Sequence, residues 1–249
     1  MKKLFKHQEV GVAWILAHPR ALLADVMRLG KTAQAIESAQ HLWLRGAIDS
    51  VLVIAPGEIA RSVWAAEDGG QIREFTHVPS RLMLIRSGKS QSWQYEPDDW
   101  NGTDKQLSWQ VTNYELARRP ERLKVLLASI TPRTMLILDE ASAVKSPSSA
   151  QTKACFALSQ VCERVLLLNG TPHGDSPGDL YAPFKIIDPS IIGCKNHYQF
   201  IAQFARMGGF RKLRNVKTET GWRKMMQPVQ IVGWTNTEVL YDRTKPYVL

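Results

Sequence analysis

Gly30, Lys31 and Thr32 are the residues whose types and spacing most directly indicate chemistry. In a phosphate-binding loop, successive backbone N–H groups wrap the phosphates, the lysine reaches the outer phosphates and the threonine hydroxyl ligates Mg²⁺. The apolar stretch 21–24 predicts a strand before this loop, and the periodic stretch 33–44 predicts a helix whose positive end faces the anion. Asp25 replaces the first glycine of the general pattern, so an ordinary strand, turn and helix is the alternative.

The second candidate is a pair of carboxylates, Asp139 and Glu140, which follows the apolar run 135–138. Such a run predicts a strand buried on both faces of a parallel sheet, and ligands bind at the carboxyl ends of these strands. Asp139 would hold Mg²⁺ through water, and Glu140 would orient and deprotonate the attacking water. A solvated loop or a helix cap is the alternative for this pair alone. The two motifs in this order predict a site for ATP and Mg²⁺.

Length and composition allow one large domain, because 249 residues with 44% hydrophobic content can bury an extensive core. No apolar run reaches the ~20 residues of a membrane helix and no signal peptide is visible, so we expect no membrane partner. Cys155, Cys162 and Cys194 form no paired metal-binding pattern. This usage predicts reduced thiols and a cytoplasmic location.

Around the two motifs, the chain resembles the first RecA-like lobe of Swi/Snf-type superfamily 2 helicases and translocases. Matching segments follow one another in the family's order across about residues 4–190. They are 5–14 (FKHQEVGVAW), 23–32 (LADVMRLGKT), 51–67 (VLVIAPGEIARSVWAAE), 111–115 (VTNYE), 136–154 (LILDEASAVKSPSSAQTKA) and 165–172 (VLLLNGTP). The resemblance implies a P-loop NTPase fold, in which a RecA-like, mainly parallel sheet has helices on both faces. It also accounts for Asp25, since the family's loop reads LADxMGLGKT.

The resemblance also implies roles for individual residues. Gln8 would read the adenine edge, and Gly170 with Thr171 would couple hydrolysis to nucleic acid. Asn113 and Tyr114 match the segment that touches the DNA backbone, and Lys145 lies in another segment near the DNA. The implied ATP-binding residues are Gln8, Met27, Arg28, Leu29, Gly30, Lys31 and Thr32. The implied catalytic residues are Lys31, Asp139 and Glu140, with Thr32 and Asp139 as metal ligands.

The chain departs from the family's pattern at three positions. Arg28 replaces a glycine of the phosphate loop, where it could add a cation near the phosphates or point outward. Ser142 replaces a histidine, which could weaken the link between the acidic pair and the coupling motif. Asn169 replaces a threonine or serine. None of these changes removes an expected phosphate or metal ligand.

The net charge of +9 is concentrated in one segment, since residues 206–224 hold seven Lys or Arg against one Glu. Lysine and arginine neutralise phosphates and release counterions, so the segment predicts polyanion binding. We expect Arg211, Lys212 and Arg214 to contact DNA. A solvated basic face is the alternative for this segment.

The strand and helix alternation has two interruptions. Residues 87–109 are polar and predict a hairpin or a long loop, and the alternation fades after residue 190. We therefore expect a RecA-like ATP-binding lobe at 1–190. Residues 191–249 would form a basic, partly helical C-terminal appendage, or the start of a linker to a second lobe.

Members of this family bind ATP between two lobes, and the second lobe supplies arginine fingers that stabilise the transition state. No such lobe follows within these 249 residues. The lobe could belong to a longer protein, come from a partner or a second copy, or be lost together with turnover.

The sequence thus predicts the ATP-binding lobe of a DNA-dependent ATPase or translocase that engages duplex DNA. The alternative is a regulatory module that docks on nucleic acid or on a helicase without turnover. Lys31 and Glu140 favour chemistry, whereas the missing arginine fingers favour the module.

Overall fold

A seven-stranded sheet lies at the centre of the protein, as seen in a computed structural model that describes residues 4–26, 28–88, 90–95, 105–170, 176–209, 213–218, 221–226 and 230–249. Its strands are β1 (Arg20–Leu23), β2 (Ser50–Ala55), β3 (Ser80–Leu84), β4 (Gln91–Tyr95), β5 (Leu107–Asn113), β6 (Thr134–Leu138) and β7 (Arg164–Leu168). They are arranged in the order β1-β7-β6-β2-β5-β3-β4. All neighbours are parallel except β3 and β4.

Helices cover both faces of the sheet. They are α1 (Lys6–Ala17), α2 (Lys31–Leu44), α3 (Gly57–Ile59), α4 (Gln71–Phe75), α5 (Tyr114–Ala117), α6 (Pro120–Ser129), α7 (Ala150–Ser159), α8 (Tyr181–Ile187), α9 (His197–Phe204) and α10 (Thr237–Thr244). A π-helical turn spans Ala60–Trp64, and 3₁₀ turns span Ala141–Val144, Pro177–Leu180 and Lys245–Tyr247. Among the described residues, no helix is long and apolar enough to cross a membrane.

Two apolar clusters, one on each face, explain why the central strands read as continuous apolar runs. Leu136 and Leu138 of β6 belong to one cluster, and Met135 and Ile137 belong to the other. Strands that are buried on both faces cannot alternate apolar with polar residues. The sheet is therefore the middle layer between two layers of helices, and the predicted RecA-like α/β fold is confirmed.

The last part of the chain forms strands as well as helices. The strands β8 (Ala205–Gly208) and β11 (Gln230–Trp234) pair antiparallel, as do β9 (Leu213–Thr218) and β10 (Gly221–Met226). The sequence pattern did not predict these four strands. The chain then returns to the free edge of β1, where Leu249 N donates to Leu22 O at 3.1 Å.

The division predicted at residues 190 and 191 stays a prediction, and residues on both sides of it pack in one apolar cluster. Phe184 of α8 shares this cluster with Phe200 and Phe204 of α9 and with Leu240 of α10. Residues 87–109 were predicted to form a hairpin or a long loop; β4 lies in this stretch and pairs antiparallel with β3, which precedes it.

Candidate nucleotide-binding site

The phosphate loop connects the carboxyl end of β1 to α2. Gly30 occupies the position before this helix with φ 79° and ψ 36°, in the left-handed region that favours glycine. A Cβ atom at Gly30 would lie 2.1 Å from Nε2 of Gln8. Gly30 is therefore required both by its backbone conformation and by the close approach of Gln8.

Lys31 and Thr32 are the first residues of α2, and both are half-buried. The Lys31 ammonium donates to the carbonyl oxygens of Asp25 at 2.7 Å and of Val26 at 3.3 Å. It therefore lies inside the loop, beside the backbone N–H groups at the start of a fourteen-residue helix. These N–H groups and the lysine together favour an anion at this point.

Several side chains fix the shape of the loop. Gln8 donates from Nε2 to the Leu29 carbonyl at 3.1 Å, and its Oε1 accepts from the Phe5 backbone N–H at 3.0 Å. The His7 ring nitrogen Nε2 also lies 3.1 Å from the Leu29 carbonyl oxygen. Gln8 thus positions the loop, whereas its expected contact with adenine stays a prediction.

Asp25 and Arg28 show what the unusual residues of the loop do. The Asp25 carboxylate accepts from Gln34 Nε2 at 2.9 Å, which ties the loop to the first turns of α2. Arg28 is exposed and has φ 71°, in a conformation that glycine adopts more easily. The position therefore retains the backbone shape of a glycine although it holds an arginine.

The acidic pair lies at the carboxyl end of β6. Asp139 is 7% exposed, and its Oδ2 accepts from the Trp64 indole N–H at 2.7 Å. Its Oδ1 accepts from the backbone N–H of Glu140 at 3.0 Å, and its backbone carbonyl accepts from the Tyr114 hydroxyl at 2.8 Å. Glu140 is half-buried and has φ 51°. The Asp139 carboxylate is therefore held at the strand end, and Glu140 follows it directly.

The sheet brings the two predicted motifs together. β7 is the only strand between β1 and β6, and all three run parallel. Their carboxyl ends thus share one edge, and β1 and β6 lie about 10 Å apart at the usual strand spacing. Burial raises the pKa of Asp139 above its ordinary value and the negative charge of Glu140 adds to this rise, while the Trp64 hydrogen bond and the positive charge of Lys31 offset part of it. Lys31 and Asp139 therefore act on one another electrostatically.

The donor set fits Mg²⁺ bound together with phosphates. Mg²⁺ prefers oxygen ligands and is usually held by one or two protein groups, phosphates and water. Thr32 and Asp139 supply a hydroxyl and a carboxylate at the two strand ends. Among the described residues, no group of three or more His, Cys, Asp or Glu could hold a metal ion. A metal here would consequently depend on a nucleotide for the rest of its ligands.

The structure describes only some of the residues that were predicted to couple hydrolysis to nucleic acid or to form the phosphate loop. Gly170 follows β7, between the phosphate loop and the acidic pair, and is half-buried. The Asn169 backbone N–H next to it donates to Leu23 O at 3.0 Å. Thr171 and Met27 lie outside the described residues.

The residues predicted to bind DNA are described only in part. Asn113 is half-buried and caps α5 by accepting from the Leu116 N–H at 2.8 Å. Tyr114 is only 1% exposed, so its side chain is not available to DNA in this conformation. Lys145 is exposed and lies 4.0 Å from Asp179. Arg211 and Lys212 lie outside the described residues, and only the backbone of Arg214, in β9, is described.

A polar pocket at the same edge of the sheet was missed by the sequence reasoning. It has a volume of about 180 Å³ and lies beside the carboxyl ends of β2, β3 and β5. The exposed residues Arg61, Arg86 and Arg119 line it together with Asn113. We call it the arginine pocket. The available signal was an arginine shortly after the end of each of these strands.

Comparison with known proteins identifies the family. The model of the SNF2-related domain matches residues 7–239. The chain is 24% identical over 99% of its length to the SNF2 domain-containing protein ENL1 of Oryza sativa, and 31% identical over 83% to the chromatin-remodeling ATPase INO80 of Cryptococcus neoformans. It covers 24% and 11% of these relatives, respectively.

The fold comparison agrees. The Sulfolobus solfataricus SWI2/SNF2 ATPase core in complex with dsDNA superposes with a TM-score of 0.68 at 20% identity. The alignment covers 100% of this chain and 44% of that structure. This likeness shows the shared fold.

Proposed function

The chain belongs to the SNF2-related domain family, and on this basis we propose that it is the nucleotide-binding lobe of an ATP hydrolase that acts on duplex DNA. One observation carries the proposal: the phosphate loop with its lysine follows β1, the buried Asp139 follows β6, and β7 lies between these two parallel strands. The resemblance that the sequence showed to Swi/Snf-type lobes is confirmed by the family match.

In the proposed mechanism, the residues neutralise charge and position water. Lys31 and the N–H groups of the loop hold the outer phosphates, while Thr32 and Asp139 hold Mg²⁺. Bound Mg²⁺ neutralises charge that develops on the phosphates. Glu140 orients the attacking water and accepts its proton. Gly170 and Thr171 would couple nucleic-acid binding to ATP hydrolysis at this site.

The second lobe belongs to the proposal as well. This chain spans between 11% and 24% of the two relatives named above, so the remainder of a complete ATPase would come from a longer protein or from a partner. Arginine fingers accelerate phosphoryl transfer by about 10³–10⁵-fold. We therefore expect the 249 residues alone to bind Mg-ATP and to turn it over slowly.

DNA would contact the edge of the sheet that holds the nucleotide. The arginine pocket presents Arg61, Arg86 and Arg119 to solvent, and arginine is well suited to phosphate oxygens. The pair of Arg61 with Glu58 is exposed and therefore weak, so it would yield to a phosphate. The basic segment 206–224 would extend this surface. A cytoplasmic location stays a prediction.

The first experiment tests the chemistry. ATP binding and phosphate release are measured with and without duplex DNA for the natural chain, for Glu140→Gln and for the exposed control Glu121→Gln. We expect Glu140→Gln to keep nucleotide binding and to lose residual turnover, while Glu121→Gln changes neither. Absence of ATP binding by the natural chain would contradict the proposal and would favour a regulatory module.

The second experiment tests the DNA surface. Duplex DNA affinity is measured against salt for the natural chain, for Arg61→Ala and Arg119→Ala, and for Arg45→Ala as control. Arg45 is exposed and follows α2, at the far end of this helix from the phosphate loop. Each pocket arginine should reduce the salt slope by about one, because one phosphate contact is lost. Equal slopes for all variants would remove the arginine pocket from the DNA surface.

A further inference from the structure

Two side chains connect Asp139 to segments that follow neighbouring strands. Trp64 ends the π-helical turn that follows β2, and Tyr114 begins α5 directly after β5. Trp64 donates to Oδ2 of Asp139 at 2.7 Å, and Tyr114 donates to its backbone carbonyl at 2.8 Å. Trp64 is 0% exposed and Tyr114 is 1% exposed. Both contacts are therefore shielded from water. In the protein interior a hydrogen bond is electrostatically stronger than in water.

The same two segments form walls of the arginine pocket on their outer side. Ala60 and Arg61 of the π-helical turn line it, as do Asn113, Leu116 and Arg119 of the second segment. Arg61 is only three positions from Trp64 in the same turn. Each segment therefore lines the pocket with several residues and bonds Asp139 with another. π-Helical turns are rare and often occur at functional sites.

We propose that Trp64 and Tyr114 are positioning residues that couple occupation of the arginine pocket to the geometry of Asp139. The proposal rests on the function proposed above. When a DNA phosphate binds the pocket arginines, the two segments shift and carry the indole N–H and the phenol hydroxyl with them. Because both groups bond Asp139, the carboxylate that would hold Mg²⁺ is reoriented. DNA binding thus changes the position of the Asp139 carboxylate through these two hydrogen bonds.

Asp139 depends on these donors because it has few others. Among the described residues, Trp64 is the only side chain that donates to its carboxylate, and the other donor is the backbone N–H of Glu140. Removal of the indole N–H would leave the carboxylate held by the Glu140 backbone N–H alone, through its other oxygen. A change at Trp64 should therefore alter metal binding more than nucleotide binding.

The chain provides a matched control for the tryptophan. Trp109 of β5 is also 0% exposed, but its indole nitrogen has no hydrogen-bond partner among the residues that the structure describes. Trp64→Phe and Trp109→Phe remove the same atoms from the core, yet only the first removes a bond to Asp139. Tyr114→Phe removes a single hydroxyl. A purely structural role would make the two tryptophan variants equivalent.

The test measures the Mg²⁺ concentration that half-saturates binding of a fluorescent ATP analogue, with and without duplex DNA. We expect DNA to shift this concentration in the natural chain. Trp64→Phe should raise it about tenfold and, like Tyr114→Phe, should abolish the shift caused by DNA. Trp109→Phe should behave as the natural chain, and thermal unfolding verifies that every variant is folded. Equal behaviour of the two tryptophan variants, or no DNA shift in the natural chain, would overturn the proposal.

A spectroscopic readout needs neither nucleotide nor metal. The indole N–H resonance that disappears in Trp64→Phe is assigned to Trp64 in a ¹H–¹⁵N spectrum. It should move when duplex DNA is added, whereas the Trp109 resonance should not, and a stationary Trp64 signal would refute the coupling. If the natural chain binds DNA and moves this signal but binds no ATP, the function proposed above fails and the coupling survives.

Discussion

Gly30→Ala is predicted to destabilise the protein through two separable effects. Gly30 has φ 79°, and a side chain in the left-handed region costs about 1–2 kcal/mol. The added Cβ would also lie 2.1 Å from Gln8 Nε2, so the side-chain amide of Gln8 must move away from the loop. That movement breaks its bonds to Leu29 O and Phe5 N, which contribute about 1 kcal/mol each. We therefore expect the free energy of unfolding to fall by about 3–4 kcal/mol in total.

Gly46→Ala is the matched control, because it isolates the backbone effect. Gly46 has φ 69°, and a Cβ there would meet no atom within 4 Å. Gly46→Ala should lower the free energy of unfolding by about 1–2 kcal/mol, which is the cost of placing a side chain in the left-handed backbone conformation. Gln8→Ala in the Gly30→Ala background should cost little more, since the bonds of Gln8 are already broken.

The assay is urea unfolding followed by tryptophan fluorescence at one temperature. The four variants are Gly30→Ala, Gly46→Ala, Gln8→Ala and the double variant with both Gln8→Ala and Gly30→Ala. The Gln8 and Gly30 substitutions should be non-additive by about 1–2 kcal/mol, as expected for residues in contact. Equal losses for Gly30→Ala and Gly46→Ala, together with additive effects at Gln8 and Gly30, would refute the role of Gln8 in holding the loop.

Three further predictions concern residues away from the site. Arg20 donates to the carbonyls of Ile187, Cys162, Ser159 and Ile186, so Arg20→Met should lower the free energy of unfolding by about 2–4 kcal/mol in urea, and Arg20→Lys by less. Burial raises the pKa of Cys155 to about 12, so this thiol should resist a disulfide reagent at pH 8 until the chain unfolds, and rapid labelling of the native protein would contradict its placement. Hydrogen bonds from Ser190 lower the pKa of Asp188 below 3.8. Ionised Asp188 therefore stabilises the folded protein fully above this value, and its contribution is lost as pH falls through the lower pKa of the folded state. Asp188→Asn should flatten the dependence of the free energy of unfolding on pH below pH 4.

The sheet and the two strand ends that carry the proposed site could be predicted because their signals are local. The apolar run before Asp139 and the stretch before Gly30 each lie within a few residues of the chemistry that they position. Helix α2 was predicted at 33–44 and spans Lys31–Leu44, since its apolar period continues through the whole element. Parallel pairing then places both motifs at one edge without further information.

Contacts between distant segments could not be predicted in this way. Trp64 and Asp139 are 75 positions apart, and no local pattern indicates that an indole would bond a metal-site carboxylate. Tyr114 was expected at the DNA and is instead buried, because the segment that begins with it turns the ring into the apolar cluster.

The basic end of the chain shows a different reason for incomplete prediction. The strands β9 and β10 lie in a stretch whose charge dominates its composition, so no alternation of apolar and polar residues was evident. Charge predicted a binding property for these residues and gave no information about their backbone. Whether Arg214 contacts DNA stays a prediction.

The central claim is that Lys31 and Asp139 hold one Mg-nucleotide between them. Isothermal titration of ATP in the presence and absence of Mg²⁺ tests it directly, with Lys31→Ala, Asp139→Asn and the exposed control Lys153→Ala on α7. We predict that Lys31→Ala weakens binding at least about tenfold, which is ~1.4 kcal/mol. Asp139→Asn should remove the gain in affinity that Mg²⁺ confers, and Lys153→Ala should leave both unchanged. Unaltered, Mg²⁺-dependent binding in Lys31→Ala and Asp139→Asn would contradict the claim.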